Sequence, residues 1–446
     1  MMNSSMLRFL GLDKAIVYSF VLKTWQAFAG LIGLILITQY CSSDVQGFYY
    51  TFISLVALQS FVELGLYIVI ASIASHEWAE LKLGMNGQIT GNPAALSRLI
   101  SLGRFIFKWY AVAALIFFSL SSVGGYWLFA QSQIVNVDWK LPWFIYVAFS
   151  SVWLWCMPFL SLLEACGQVD RVAVFRFWQT FASSICSWVA IAGHHDLWAL
   201  PVLVMVSVIS CLYYLLVTKR TFFRPFFNSP SLDSIRWCTE IFPMQWRLAL
   251  QGLMNYFSFS VFTPVMFYHY GPKVAGQMGM TQQILMAMLS IALIWVTTKA
   301  PQFGILVARR EFQKLDIEWR RATQISVSLV LVGAFLFTAA LVLSALLHLD
   351  PTDRLLPLLP SLFLAIATVF VAVVQCIAVY LRAHKKEILT APGVLTGALT
   401  GLMVWKLGAA FGPVGATASY LFVTAFLALP MTVVVFRKSR HEWHIL

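Results

Sequence analysis

Apolar stretches long enough to cross a lipid bilayer recur from one end of this chain to the other. A soluble domain built from them could not keep its surface wet. Of the 446 residues, 60% are hydrophobic and only 11% are charged, and the mean hydropathy is +0.80. The chain reads as an all-α polytopic membrane protein.

Twelve spans are expected, at about 15–39, 47–74, 105–129, 142–165, 172–193, 197–218, 240–268, 274–298, 323–347, 355–381, 387–410 and 413–436. Each supplies roughly the 20 residues that cross about 30 Å of hydrocarbon. Spans 5 and 6 are the least clearly divided, with only "GHHD" between them. The basic residues then fix an orientation. Of the 30 Lys and Arg, four (Lys23, Arg176, Arg247, Lys406) lie inside spans. With the N-terminus in the cytoplasm, only Lys140, Lys273 and Arg354 fall outside, which leaves 23 inside. That asymmetry follows the positive-inside rule and places both termini in the cytoplasm, as an even number of spans requires. The net charge of +12 is therefore a topology signal, and no nucleic acid is implied. The N-terminal "MMNSSMLRFLGLDK" is weakly amphipathic and precedes no small-residue cleavage site, so span 1 reads as its own insertion signal. The seven cysteines are scattered without a CxxC pair and read as small side chains compatible with lipid.

"RPFFNSPSLDSIRW" (224–237) divides the chain near its midpoint. The expected organisation is a six-helix bundle at 1–220, a cytoplasmic linker at 221–239 and a second six-helix bundle at 240–446. The halves are weakly self-similar. "SDVQGFYYTFISLVAL" leads into span 2 and "GPKVAGQMGMTQQILMAM" into span 8, with Gly47 and Gly276 in matching places. "ASHEWAEL" and "ARREFQKL" follow those spans in register. Both halves start from the cytoplasm, so the repeat is parallel, an arrangement common in transporters. The segment 299–322 has the pattern of a basic amphipathic helix on the membrane surface, or of a topology anchor.

The polar groups inside the spans are the candidate functional residues. A charge at the centre of a bilayer costs roughly 2.5–3.5 kcal/mol on insertion scales, so each needs a partner or a wet face. Lys23, Gln26, Gly30 and Gly33 share one face of span 1. Arg247, Gln251, Asn255 and Ser258 share one face of span 7, and Arg176, Thr180, Ser183 and Ser187 one face of span 5. Lys406 is near enough to a span end to snorkel, and Glu164 sits at the solvated end of span 4. Two readings fit Lys23: an ion pair with Glu63 of span 2, or an open polar face. Arg247 has no acid at matching depth. The excess of basic over acidic groups favours an anionic ligand, and Arg suits bidentate binding of phosphate. Glutamines such as Gln59, Gln179 and Gln245, with Trp and Tyr, suit a cavity that accepts sugar.

"GFYYTFISLVALQSFVELGL" from Gly47, "VAGQMGMTQQIL" in span 8, "APQF" with "ARREFQKL" after it, and "FGPVGATASYLFV" leading into span 12 together resemble the multidrug/oligosaccharidyl-lipid/polysaccharide (MOP) exporter superfamily. Within it they resemble the Wzx-type polysaccharide flippases. The resemblance implies two six-helix bundles around a V-shaped central cavity, in a bacterial inner membrane. It implies translocation of undecaprenyl-diphosphate-linked oligosaccharide (an O-antigen, capsule or exopolysaccharide repeat unit) from the cytoplasmic to the outer leaflet by alternating access. Lys23 and Arg247 are the positions that fit the family's cationic cavity residues, with Gln26, Arg176, Gln251 and Asn255 beside them and Glu63 as a coupling or ion-pairing acid. A polysaccharide polymerase and a chain-length regulator are the implied protein partners. No cofactor or metal is expected.

Two other classes remain. A proton- or sodium-coupled drug antiporter of the same superfamily needs a membrane-embedded acid, commonly in span 1, where this chain has Lys23 and no acid. A membrane glycosyltransferase or polymerase needs large external loops, and these are short. No GxSxG, HExxH or phosphate-binding loop occurs, and His194, His195 and Asp196 are too close in sequence to complete a metal site. The chain therefore reads as a transporter and not an enzyme.

Overall fold

The computed structural model describes residues 14–445 apart from 64, 85–86, 133–136, 228–233, 348–352 and 385–387. The side chains of some helical residues, Arg247 and Gln251 among them, also lie outside the described residues. Among the described residues, nine helical runs are long and apolar enough to cross a membrane. Three of them, Lys140–Ala192, Gly252–Ala308 and Thr390–Trp443, each hold two expected spans. In each, one glycine with positive φ makes the break: Gly167, Gly271 and Gly412 at 74°, 81° and 64°. The nine runs thus contain the twelve spans, and the chain is a multi-pass membrane protein.

In chain order the helices are α1 Lys14–Tyr40, α2 Ser43–Val56, α3 Gln59–Glu63, α4 Leu66–Trp78, α5 Pro93–Ala130, α6 Lys140–Leu163, α7 Val169–Ala192, α8 Ala199–Tyr213 and α9 Arg220–Phe223. The second half contains α10 Phe242–Phe259, α11 Phe262–Ala308, α12 Phe312–Leu346, α13 Leu358–Ala383, α14 Thr390–Val423 and α15 Leu429–Ile445. An antiparallel hairpin, β1 Leu81–Leu83 with β2 Ile89–Gly91, joins α4 to α5. The sequence pattern does not announce it.

Expected span 3 begins at 105, yet α5 begins at Pro93. Asn92 caps it by accepting from the Ala94 N–H at 2.9 Å, with proline at the first helical position. Its 38 residues reach about 57 Å, well beyond the hydrocarbon, so its first turns stand in the interface. Of the two readings of 299–322, a separate surface helix is not what forms. The end of α11 and the start of α12 share that segment, with a turn at Arg309–Glu311 between them. Its apolar face is not left for lipid. Phe303, Leu306, Leu315 and Ala322 are buried with Cys376, Tyr380 and Leu381 of α13. Trp319 donates to the Cys376 carbonyl at 3.0 Å, and Lys299 pairs with Glu318 across the turn.

By contacts the chain forms two compact units. One holds the described residues to Cys41 together with Leu55–Leu253; the other holds Ser42–Ser54 together with the described residues from Met254 onward. In the first, α7 packs on α1 and α8, and α6 on α5, α8 and α4. In the second, α11, α12 and α13 pack on one another and α14 closes on α11 and α13. Here the two glycines of the repeated motif meet. A Cβ on Gly47 would lie 2.0 Å from the Pro272 carbonyl oxygen, and one on Gly276 would lie 2.9 Å from the Gly47 nitrogen. Gln46 beside them donates to the carbonyls of Gly276 and Arg354, both at 3.0 Å. Small residues permit this close crossing.

Candidate functional site

The second span is irregular. It is expected as one helix over 47–74 and is instead broken into α2, α3 and α4. Turn hydrogen bonds at Leu58, Ser60 and Phe61 replace the helical ladder, and Gly65 takes φ 64° ahead of α4. Broken helices at membrane depth are stable only where protein or a wet cavity satisfies the freed backbone. The Ser60 carbonyl lies 3.9 Å from where a Cβ of Gly252 in α10 would stand, so α10 passes directly over the break.

Glu63 ends α3 and so sits at this break. It is half-buried, and its carboxyl lies within electrostatic reach of the Tyr67 and Tyr110 hydroxyls. Tyr110 is fully buried and its hydroxyl has no hydrogen-bond partner among the described residues. A half-buried carboxyl at a break in a membrane helix can hold or release a proton. The sequence signals Glu63 but not the two tyrosines, which look there like packing aromatics.

Lys23 and Gln26 are both exposed on α1. Among the described residues no ion pair joins Lys23 to Glu63. Gly33, on the same expected stripe, faces α7 instead: its Cβ would lie 3.9 Å from Trp188 Nε1. Trp25 packs on Phe181 and Trp188, with ring centroids 4.7 and 5.9 Å apart.

The stripe on span 5 is a packing surface. Ser183 and Ser187 are buried, and Ser183 donates to the Thr180 carbonyl at 3.1 Å. Arg176 is bound by an acid: its Nη2 lies 3.2 Å from Glu164 Oε1. The chain turns at Gly167, so the end of α6 and the start of α7 run together and bring the two residues into reach. Glu164 is thus a partner of Arg176, where the sequence suggests only a solvated end.

Of the span 7 stripe, Asn255 is exposed on α10 and Ser258 donates to the Met254 carbonyl at 3.0 Å. The side chains of Arg247 and Gln251, the centre of the expected anion site, lie outside the described residues.

A residue missed by the sequence reading anchors the start of α10. Arg98 of α5 donates from Nε to Glu77 Oε1 at 2.8 Å and from Nη2 to Glu240 Oε2 at 2.5 Å. The Ile235 N–H donates to Ser101 Oγ at 3.3 Å, and Trp237 stacks on Trp109 at 6.0 Å. Arg98 reads in sequence as one more topology-setting cation. Among the described residues no three His, Cys, Asp or Glu come together as a metal site.

No protein-family model matches the chain, and no curated protein matches it. Solved structures do. An inward-facing multidrug-resistance transporter of the MATE family, MOP superfamily, matches with TM-score 0.66 at 11% identity over 97% of this chain and 99% of that one. The lipid II flippase MurJ in an inward closed conformation matches with TM-score 0.67 at 10% identity over 96% and 90%. A MOP-superfamily transporter from Pyrococcus furiosus, described by a binding pocket of reverse polarity, matches with TM-score 0.55 at 12% identity over 96% and 94%. Identities this low speak for the fold, and they do so over nearly the whole chain: this protein has the fold of the MOP exporter superfamily.

Proposed function

We propose that this chain is a flippase for undecaprenyl-diphosphate-linked oligosaccharide, a repeat unit of O-antigen, capsule or exopolysaccharide. It moves this lipid from the cytoplasmic to the outer leaflet of a bacterial inner membrane by alternating access. The moving halves are the bundles 1–220 and 240–446, save that 42–54 goes with the second and 240–253 with the first; 221–239 is the cytoplasmic linker, and both termini are cytoplasmic. Lys23 and Arg247 hold the diphosphate, while Gln26, Gln251 and Asn255 contact sugar. A polysaccharide polymerase and a chain-length regulator receive the product.

The observation that carries this reading is the open cationic face of α1, with Lys23 and Gln26 exposed and no acid on that helix. A cationic site attracts diphosphate and repels cationic drugs. The fold is shared with a lipid II flippase, a precedent for a lipid-linked substrate. Arg176 is paired with Glu164.

The test is binding of purified undecaprenyl-diphosphate oligosaccharide to wild type, Lys23→Gln and Arg247→Gln, with a cationic dye as competitor. Each variant loses about 1.5–3 kcal/mol of lipid binding, and dye does not compete. Wild type that binds dye and ignores the lipid ends this reading. The second reading, a coupled drug antiporter, then takes over; the observation favouring it is Glu63 at the break of the second span.

A further inference from the structure

The first unit contains a cavity of about 360 Å³ that no residue of the broken helix lines. Its walls are aromatic and aliphatic: Phe107 of α5, Trp155 and Phe159 of α6, Leu212 of α8 and Phe223 of α9. The turn after α9 folds back over α5 because residue 103 is glycine. A Cβ there would lie 2.1 Å from Phe226 Cδ1. The rings form a continuous chain, Phe107 to Trp155 at 5.1 Å, Trp155 to Phe159 at 6.3 Å, Phe159 to Phe223 at 5.9 Å and Phe223 to Phe226 at 5.7 Å.

Three cations line the same cavity: Arg104, Lys108 and Arg220. Lys108 and Arg220 are exposed, and Arg104 is half-buried. Among the described lining residues there is no acid. Arg104 and Lys108 are one helical turn apart on α5, within its first five turns, near the interface. Phe227 beside them is 80% exposed, and Leu216 and Phe107 also face outward. In a multi-pass protein those outward faces meet acyl chains, so the cavity opens to the bilayer and its rim carries positive charge.

We infer that this cavity is a binding site for an anionic phospholipid of the leaflet that meets the basic loops. The acyl chain enters the aromatic cleft, and the phosphate rests among Arg104, Lys108 and Arg220. The occupant comes from the membrane because the cleft has apolar walls and opens toward lipid, which a free phosphate compound would not use. It is anionic because three cations share the rim, and a zwitterionic headgroup would bring its own positive charge among them.

The experiment is native mass spectrometry of the delipidated full chain titrated with dioleoyl phosphatidylglycerol or dioleoyl phosphatidylcholine. Wild type retains one phosphatidylglycerol at least tenfold more tightly than phosphatidylcholine. The triple variant Arg104→Gln, Lys108→Gln, Arg220→Gln loses that preference. Leu212→Trp fills the cleft, keeps every charge and also loses the retained lipid. A control with equal charge loss elsewhere, Arg309→Gln, Arg437→Gln, Lys438→Gln, retains it. The inference is overturned if the control loses the lipid as the triple variant does, if Leu212→Trp leaves retention unchanged, or if wild type treats the two lipids alike. Displacement of phosphatidylglycerol by equimolar undecaprenyl phosphate overturns it too, by making the occupant a prenyl lipid. Far-ultraviolet circular dichroism of each variant checks that the helices are intact.

Discussion

At the scale of single residues, the least replaceable positions are glycines at close approaches. Gly47→Ala pushes a methyl group to 2.0 Å from the Pro272 carbonyl oxygen, and backbone cannot rotate out of the way. The expected cost is at least about 1–3 kcal/mol, read as a fall in unfolding temperature in detergent; Gly304→Ala, with open space around it, is the neutral comparison. The sequence marks Gly47 and Gly276 as matching points of a repeat, but not that they touch, since they are far apart along the chain. Arg98 was equally opaque, because a topology-setting cation and a clamp look the same until Glu77 and Glu240 converge on it. Arg98→Gln should cost about 1–2 kcal/mol, charge-assisted bonds discounted for partial exposure, and should speed proteolysis near 234–241. Lys219 offers a pH test. It is buried, donates to Gln168 Oε1 at 2.5 Å, and burial followed by the neighbouring Arg171 hold its ammonium below the usual lysine range. A lowered folded-state value penalises the protonated form, and that penalty fades as pH rises toward the ordinary lysine value of about 10.4. Wild-type stability relative to Lys219→Met should therefore increase between neutral pH and about 10.4.

At the scale of elements, the number and type of helices were legible because hydrophobic length is a strong signal. Their breaks were not. Nothing in "VALQSFVELGLYI" forbids a continuous helix as Pro would, and only packing against α5 and α10 leaves α3 separate with Glu63 at its end. The polar stripe on α7 marks a shared face in sequence but not what it meets; Ser183 and Ser184 turn their hydroxyls back to the Thr180 carbonyl, and α7 packs on α1. The pattern of 299–322 fits a surface helix or a topology anchor, and amphipathicity does not say whether the apolar face meets lipid or protein. Its docking makes a further prediction. Asp316 accepts from Tyr380 at 2.8 Å and pairs with Arg440, tying α12 to α13 and α15, and His384 stacks on Trp443 at 4.4 Å. Asp316→Asn weakens this tie by about 1–2 kcal/mol, seen as faster amide exchange in α15 with α5 unaffected.

At the scale of the whole molecule, class and fold were legible end to end, because apolar length and charge asymmetry are summed over hundreds of residues and tolerate local error. Ligand chemistry depends on a few side chains, and there the sequence offers a sign of charge rather than a geometry. If Glu63 couples transport to protons, Glu63→Gln in proteoliposomes should abolish acceleration by an imposed pH gradient while leaving substrate binding within about twofold. Equal stimulation of both proteins would remove Glu63 from the coupling step.

Residues 42–54 belong with 254–446, while 55–253 belong with the chain's beginning. A gene cut inside the linker therefore yields two fragments of which neither encodes a finished body. The N-terminal piece carries off a helix whose binding partners lie on the other transcript. The C-terminal piece begins with turns of α10 that pack on the first. Produced alone, each should be cleared by quality control; produced together, they should be rescued only in each other's company. The connectivity thus makes each half of the chain depend on the other to complete its own body.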